Sequence, residues 1–428
     1  MPFDATVPMI LVFSDQSSSR LIYTLNFIFN ARGLHYELTD HKDTFIASQQ
    51  QKFNYSHQTF DGIPQIIPCG LLNEQGIASL ALQKTAFRNL EILSFNQTPD
   101  ILASIFFVLS RYEEYWETER DAHNRYLAAC SIQHKFGWLN EPICDRWALS
   151  LLDFIGINPP TSVEFKVQPT FDIDAAFAFE GKGLFRNGAG ILKNLLKGQF
   201  SRERERLKVI IGKDKDPFDT FERIIDVARN YPETRIFWLL ADYSAFNKNL
   251  PSSHPKQTSL IQSLSKQITI GIHPGYNSYR NKTSFESEKN RLENLIEKTV
   301  IYSRQHYLRL SLPDTYNILL EHKIDMDFTM GYAETTGFRM GTARSVPWYN
   351  LHENQISTLQ LQPFCYMDGT LNEYLKMPPQ QAIEEVKRLK ELVRSYGGTF
   401  SFIWHNETLG FQNHWRGWEG VFEASLDH

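Results

Sequence analysis

At 428 residues and 49.8 kDa the chain is long for one domain, and 42% hydrophobic with 13% aromatic residues excludes a disordered polymer. A net charge of −5 and a pI near 6.2 lack the electrostatic footprint of a nucleic-acid or anionic-membrane binder. Four scattered cysteines without a C-x-x-C pair argue against a disulfide framework and a thiolate zinc site.

Met1-Pro2-Phe3-Asp4 has neither the basic nor the apolar region of a signal peptide. No apolar run reaches the roughly 18 residues of a spanning helix. A cytoplasmic protein without a membrane span is the expectation.

In chain order, Met9-Ile10-Leu11-Val12-Phe13 reads as a buried strand and 18–29 as a helix. The stretch 62–68 reads as a strand confined to a sheet edge by its prolines. Thr98-Pro99-Asp100 starts a helix expected over 101–116, with Leu102, Ile105, Phe106, Leu109 and Tyr112 on one stripe. A further helix over 141–154 precedes Gly156-Ile157-Asn158-Pro159-Pro160, which reads as a boundary. Residues 1–160 are expected to form a smaller α/β accessory domain without a catalytic constellation.

Beyond it, strands are expected at 167–172, 235–241, 268–273, 299–303, 325–330, 358–364 and 399–404. Helices are expected at 191–197, 217–230, 259–266, 284–298, 313–323 and 378–396. Pro217 and Pro378-Pro379 fix φ at first helical turns, and Gly397-Gly398 ends the last helix. Such alternation over 161–428 predicts a barrel rather than an open sheet. The run Ser201-Arg202-Glu203-Arg204-Glu205-Arg206 reads as a solvated helix face.

Three of these strands end abruptly in chemistry: Phe171-Asp172-Ile173-Asp174, Ile272-His273-Pro274-Gly275-Tyr276-Asn277, and Trp404-His405-Asn406-Glu407. Parallel strands that end in polar groups at one rim place an active site there. An aspartate pair with a histidine is what a divalent metal and a general base require. A metal-assisted hydrolase follows if the three ends meet.

From about Phe165 onward these motifs resemble the polysaccharide deacetylases, carbohydrate esterase family 4, and the first part resembles the accessory domain of Bacteroidetes-type members. The resemblance implies a distorted (β/α)7 barrel that removes N- or O-acetyl groups from a glycan or sugar precursor. By it, Asp172 is the general base and Asp174 a metal ligand. His273 is a second ligand, and Asn277 stands at i+4 where the family has a histidine. Arg304, in Ser303-Arg304-Gln305-His306-Tyr307, sits where an arginine braces the base, and His405 where the general acid stands. Zinc is the expected metal, with nickel, cobalt or manganese as alternatives, and an acetylated carbohydrate is the expected partner.

Several further roles are open from the residues alone. An amide at Asn277 is a weaker, neutral donor than imidazole, so a site of Asp174, His273 and Asn277 would hold its metal less tightly. Tyr276 or a neighbour is a candidate backbone donor to an oxyanion, and His306 a candidate substrate contact. Arg339, with Tyr332, Trp348 and Tyr349 in the loop 331–354, is expected to shape substrate selection. Trp415 and Trp418 are candidates for stacking on sugar rings. Asp327 and Glu334 are both conceivable partners for His405. Two other classes fit the same sequence: a metal-binding pseudoenzyme that recognises glycan, and a docking protein in glycan assembly.

Overall fold

The computed structural model describes residues 9–158, 164–182 and 200–427. The helix expected at 191–197 and the prolines Pro159-Pro160 lie outside them.

Short apolar runs supply the first sheet. Strands β1 (Met9–Phe13), β2 (His35–Thr39), β3 (Gln51–Tyr55) and β4 (Gln65–Ile66) are parallel in the order β2-β1-β3-β4, so the proline-flanked strand does take an edge. A small antiparallel sheet follows from β5 (Leu82–Phe87), β6 (Leu90–Phe95) and β7 (Thr98–Pro99). Helices α1 (Ser19–Ile28), α2 (Ile101–Leu109) and α3 (Ile143–Phe154) pack together beside them.

α2 is shorter than the expected 101–116 and carries no stripe: all nine of its residues are buried. Asp100 caps it, accepting from the Ala103 N–H at 3.0 Å. It stops because Arg111 turns the chain at φ 54°, into a single turn at Tyr112–Tyr115. That turn delivers Arg111, Glu113 and Glu114 to a buried ion network described below.

The main sheet has eight strands: β8 (Phe165–Ile173), β9 (Arg235–Leu239), β10 (Thr269–His273), β11 (Tyr302–Ser303), β12 (Met326–Asp327), β13 (Val346–Asn350), β14 (Gln355–Leu361) and β15 (Gly398–His405). Their order is β13-β14-β12-β11-β10-β9-β8-β15. All neighbours are parallel except β13 with β14. Helices α4 (Phe221–Asn230), α5 (Pro255–Leu264), α6 (Lys282–Ile296), α7 (Asp314–Glu321) and α8 (Pro379–Tyr396) lie in the connections, and α9 (Glu419–Leu426) packs on α8. The sheet curls: beyond β14 the chain runs across to β15, with Cys365 N–H donating to Ser401 O and Ile403 N–H to Tyr366 O.

β13 was expected to be loop. Pro347 removes a ladder donor, and such a strand survives at the edge, paired on one side in a hairpin. The run 201–206 is also not wholly solvated. Within helix Phe200–Ile210, Glu203 and Arg206 are buried and face each other at 3.2 Å. Among the described residues no helix is long and apolar enough to cross a membrane.

One apolar cluster runs through both parts of the chain. Phe106 of α2 meets Tyr349 of β13 edge-on at 5.0 Å, and Tyr23 of α1 meets the same ring at 5.3 Å. Gly341 passes so close that a Cβ there would sit 2.7 Å from Cys144 Sγ, at a φ of 65° that also favours glycine.

Candidate metal centre and active site

Because the strands are parallel, their C-terminal ends share one edge. The register sets Asp172 of β8 directly beside His405 of β15, while His273 closes β10 and Arg304 follows β11. Buried on both faces, such strands are mostly apolar along their length, and their buried charged side chains come at the rim. A cavity of about 200 Å³ opens there, and Asp172, Asp174, His273, His306, Asp368 and His405 are among the residues that line it.

Three donors converge. Asp174, His273 and His306 offer ligand atoms that lie within 4.8 Å of one another. His273 Nε2 stands 3.2 Å from Asp174 Oδ1, and His306 Nε2 stands 3.3 Å from Asp174 Oδ2. The far ring nitrogens fix the tautomers. His273 Nδ1 lies 2.6 Å from the Arg304 carbonyl, which can only accept. His306 Nδ1 lies 3.3 Å from Asn247 Oδ1, whose identity as oxygen is set because the same amide donates from Nδ2 to Asp242 O at 3.1 Å. With the proton on Nδ1 in both rings, both Nε2 lone pairs face the carboxylate. Asp174 Oδ1, though buried, receives no hydrogen bond. Two lone pairs turned on an anion repel it unless a cation lies between, so this donor set fits a divalent metal.

Asn277 is not part of this set. It is exposed, does not line the cavity, and its Oδ1 accepts from Arg309 Nη1 at 3.4 Å. The Ser278–Arg280 turn begins directly after it, with Asn277 as its N-terminal flanking residue. The third group that converges with Asp174 and His273 is His306, expected above to touch substrate. The signal was present: His306 follows a strand end at the same rim, two residues after Arg304.

Asp172 is braced rather than ligated. Arg304 Nη1 donates to its Oδ1 at 2.8 Å, Nη2 to Thr170 Oγ1 at 2.8 Å and Nε to Phe328 O at 3.0 Å. The guanidinium is fully buried over the Phe237 ring at 4.4 Å, so it has no freedom to leave. Asp172 Oδ2 is 3.8 Å from His273 Nε2, farther than either Asp174 oxygen is from its imidazole.

His405 is oriented by Asp368, and neither Asp327 nor Glu334 serves. Asp368 Oδ1 takes Nδ1 of His405 at 2.8 Å, while Oδ2 accepts from the His405 N–H at 2.9 Å and from Thr408 Oγ1 at 2.6 Å. Burial opposes the imidazolium, but the Asp368 carboxylate outweighs it and raises the His405 pKa well above 6.5. Asp327 is spent on Ser303 and Thr329, and Glu334 on the Ala128 N–H. Asp368 ends the apolar run Phe364-Cys365-Tyr366-Met367, the same pattern that marks the other site residues. Nothing in the sequence marks Asn247.

The expected substrate contacts divide. Trp415 lines the cavity; Trp418 is buried and stacks edge-on to Trp415 at 5.3 Å. Tyr276 does not line the cavity. Its ring is sandwiched by Phe246 at 3.9 Å and the Arg309 guanidinium at 3.8 Å, and its N–H is taken by Asn247 Oδ1. Tyr307, which does line the cavity, turns the chain at φ 58° after His306. Arg339 is a structural residue: buried, it binds both Glu114 oxygens, at 2.9 and 2.6 Å, and Gly331 O at 2.9 Å. Glu407 lines the wall opposite, where desolvation and then Asp174 push its carboxyl up to about 7; its exposed outer atoms temper that shift.

Residues 10–157 match a family of unknown function, DUF7033. No curated protein matches the chain. Among solved structures the chain is similar to a protein of Mycobacterium smegmatis described as a polysaccharide deacetylase, at 14% identity and a TM-score of 0.38 over 63% of this chain and 85% of that one. It is similar to a Bordetella bronchiseptica protein described as a polysaccharide deacetylase involved in O-antigen biosynthesis, at 13% identity and a TM-score of 0.30 over 63% and 92%. A third, Agd3, described as a carbohydrate deacetylase, is 7% identical with a TM-score of 0.32 over 95% and 80%. All three likenesses are distant.

Proposed function

We propose that the protein is a metal-dependent hydrolase that removes acetyl groups from a sugar or glycan, with Asp174, His273 and His306 as the metal ligands. The observation that carries this reading is the pair of Nε2 lone pairs aimed at one carboxylate, between a braced aspartate and an oriented histidine. A divalent ion held there supplies Lewis-acid polarisation of the acetyl carbonyl and a more acidic water. Zinc suits two imidazoles and one carboxylate with an open position.

Asp172 then takes the proton of the attacking water. Arg304 donates to its Oδ1 and so fixes the direction of its remaining lone pairs. The oxyanion needs a fixed donor, and we assign the Tyr307 backbone N–H, since that of Tyr276 is engaged. His405 donates from Nε2 to the leaving nitrogen or oxygen, its Nδ1 being held by Asp368. Trp415, almost wholly buried against Trp404 and Trp418, still lines the same cavity, and we assign its exposed remainder to contact with the sugar.

The test is turnover of p-nitrophenyl acetate and of N-acetylglucosamine oligomers before and after chelation. Turnover lost to chelator and restored by zinc is the expected result. Rates unaffected by chelation would contradict a metal-dependent reaction, and an inert but metal-loaded protein would favour the pseudoenzyme.

A further inference from the structure

The metal cavity is not built by the strand ends alone. A loop far upstream in the chain reaches it: Arg125 is one of the residues that line it, within the segment matched by the family of unknown function. The loop is tied to the site at three points. Arg309 Nε donates to His123 O at 2.8 Å, His123 Nδ1 lies 3.0 Å from Tyr276 Oη, and Asn124 Nδ2 donates to Tyr279 Oη at 3.0 Å. Each anchor engages the chain between Tyr276 and Arg309, which follows β10, includes β11 and carries His306, so the loop's position is coupled to that part of the site.

Within the loop Arg125 is pre-aimed. Its Nε donates to Asp121 Oδ2 at 2.6 Å and its Nη2 to Tyr374 Oη at 3.2 Å, and Tyr374 is itself a cavity residue. Those bonds hold the fork rigid and leave Nη1 to donate. A guanidinium fixed in this way has already lost its rotamer entropy, so a further bond from it to a ligand costs little ordering.

Charge narrows what it would bind. Arg125 is neutralised by Asp121, and the wall around it carries Glu373 and Glu407 besides the carboxylates of the reaction. An anionic group placed at Arg125 would lie beside the Asp121 carboxylate that already neutralises it and near Glu373, whereas a neutral oxygen accepts the bond without that repulsion. We infer that Arg125 is a substrate-binding residue, supplied by the N-terminal segment, that donates a hydrogen bond to a hydroxyl or acetyl oxygen of a neutral acetylated hexosamine chain. This rests on the proposed deacetylase reading and gives the N-terminal segment a part in choosing the substrate.

The experiment measures binding of an N-acetylglucosamine oligomer by calorimetry, on full-length, metal-loaded protein carrying Asp172→Asn so that nothing is consumed. Arg125→Ala in that background is expected to weaken binding about ten- to hundredfold, as loss of a charged donor does. Asn124→Ala, which loosens the loop without removing the guanidinium, is expected to weaken it by less than about threefold. Binding unchanged by Arg125→Ala, an equal loss in Asn124→Ala, or tighter binding of a uronate-containing oligomer would each overturn the inference, as would no binding by the parent. Metal-dependent turnover of p-nitrophenyl acetate by the wild type reads the deacetylase proposal separately. It stands if that turnover occurs, whatever Arg125 does, and falls without it even where Arg125 governs binding.

Discussion

His306 and Asn277 differ in what their far atoms touch, and that decides which can hold a metal. His306 has an acceptor behind Nδ1, which frees Nε2, whereas Asn277 has a cation on its only donor oxygen. The same logic predicts an effect one layer out. Asn247→Ala removes the group that fixes the His306 tautomer, and metal affinity should fall about 10–100-fold by competitive chelator titration. Asp172→Asn should retain metal and lower kcat about 10²–10⁴-fold, as expected of a base that is not a ligand. For His405 the active form is the protonated one, and Asp368 raises its pKa well above 6.5, so activity should persist at neutral pH and fall on the alkaline side. Asp368→Asn removes the stabilising charge and lowers that pKa. The alkaline limb of the kcat profile should therefore move to lower pH, and an unmoved limb would remove His405 from the acid role.

The long strands were legible in the sequence because parallel strands buried on both faces are mostly apolar and keep their buried charges for the rim. The polar ends of β8, β10 and β15 gave Asp172, Asp174, His273 and His405 directly. What was not legible depended on contacts across the fold. Asn277 matched an i+4 ligand spacing, but it is exposed and its amide oxygen is taken by Arg309, a contact 32 positions away that no local pattern encodes. Arg339 looked like a loop residue free for substrate, and it is instead the partner of Glu114, some 225 positions away. The β5–β6 hairpin was hidden because its turn uses Arg88, at φ 53°, in place of glycine. The broken end of α2 makes its own prediction. Glu114 is buried between Arg111 and Arg339, so Glu114→Ala should cost about 3–5 kcal/mol by urea denaturation, the usual result of orphaning buried charges. Although burial opposes its charge, the two arginines hold Glu114 at about 2, below its ordinary 4.5. The stabilisation is thus full above pH 4.5 and lost as pH falls toward 2, and the gap in urea midpoint between wild type and Glu114→Gln should narrow over that range.

Across the whole molecule, the two parts of the chain share one apolar cluster, one buried ion network and one cavity wall. Residues 9–157 are tied to the curled sheet at two places: Arg111, Glu114 and Cys144 hold its 331–345 connection, while His123, Asn124 and Arg125 reach its C-terminal rim. The arrangement has a purpose if the rim carries a metal, and everything proposed about the reaction depends on which side chains hold it. The decisive measurement is the metal stoichiometry, by mass spectrometry, of the folded full-length protein and of its His306→Ala and Asn277→Ala variants after equal exposure to zinc. About one equivalent in the wild type and in Asn277→Ala, with loss of the metal from His306→Ala, is the result predicted for a centre of two imidazoles and a carboxylate. Metal kept by His306→Ala and lost from Asn277→Ala would contradict it.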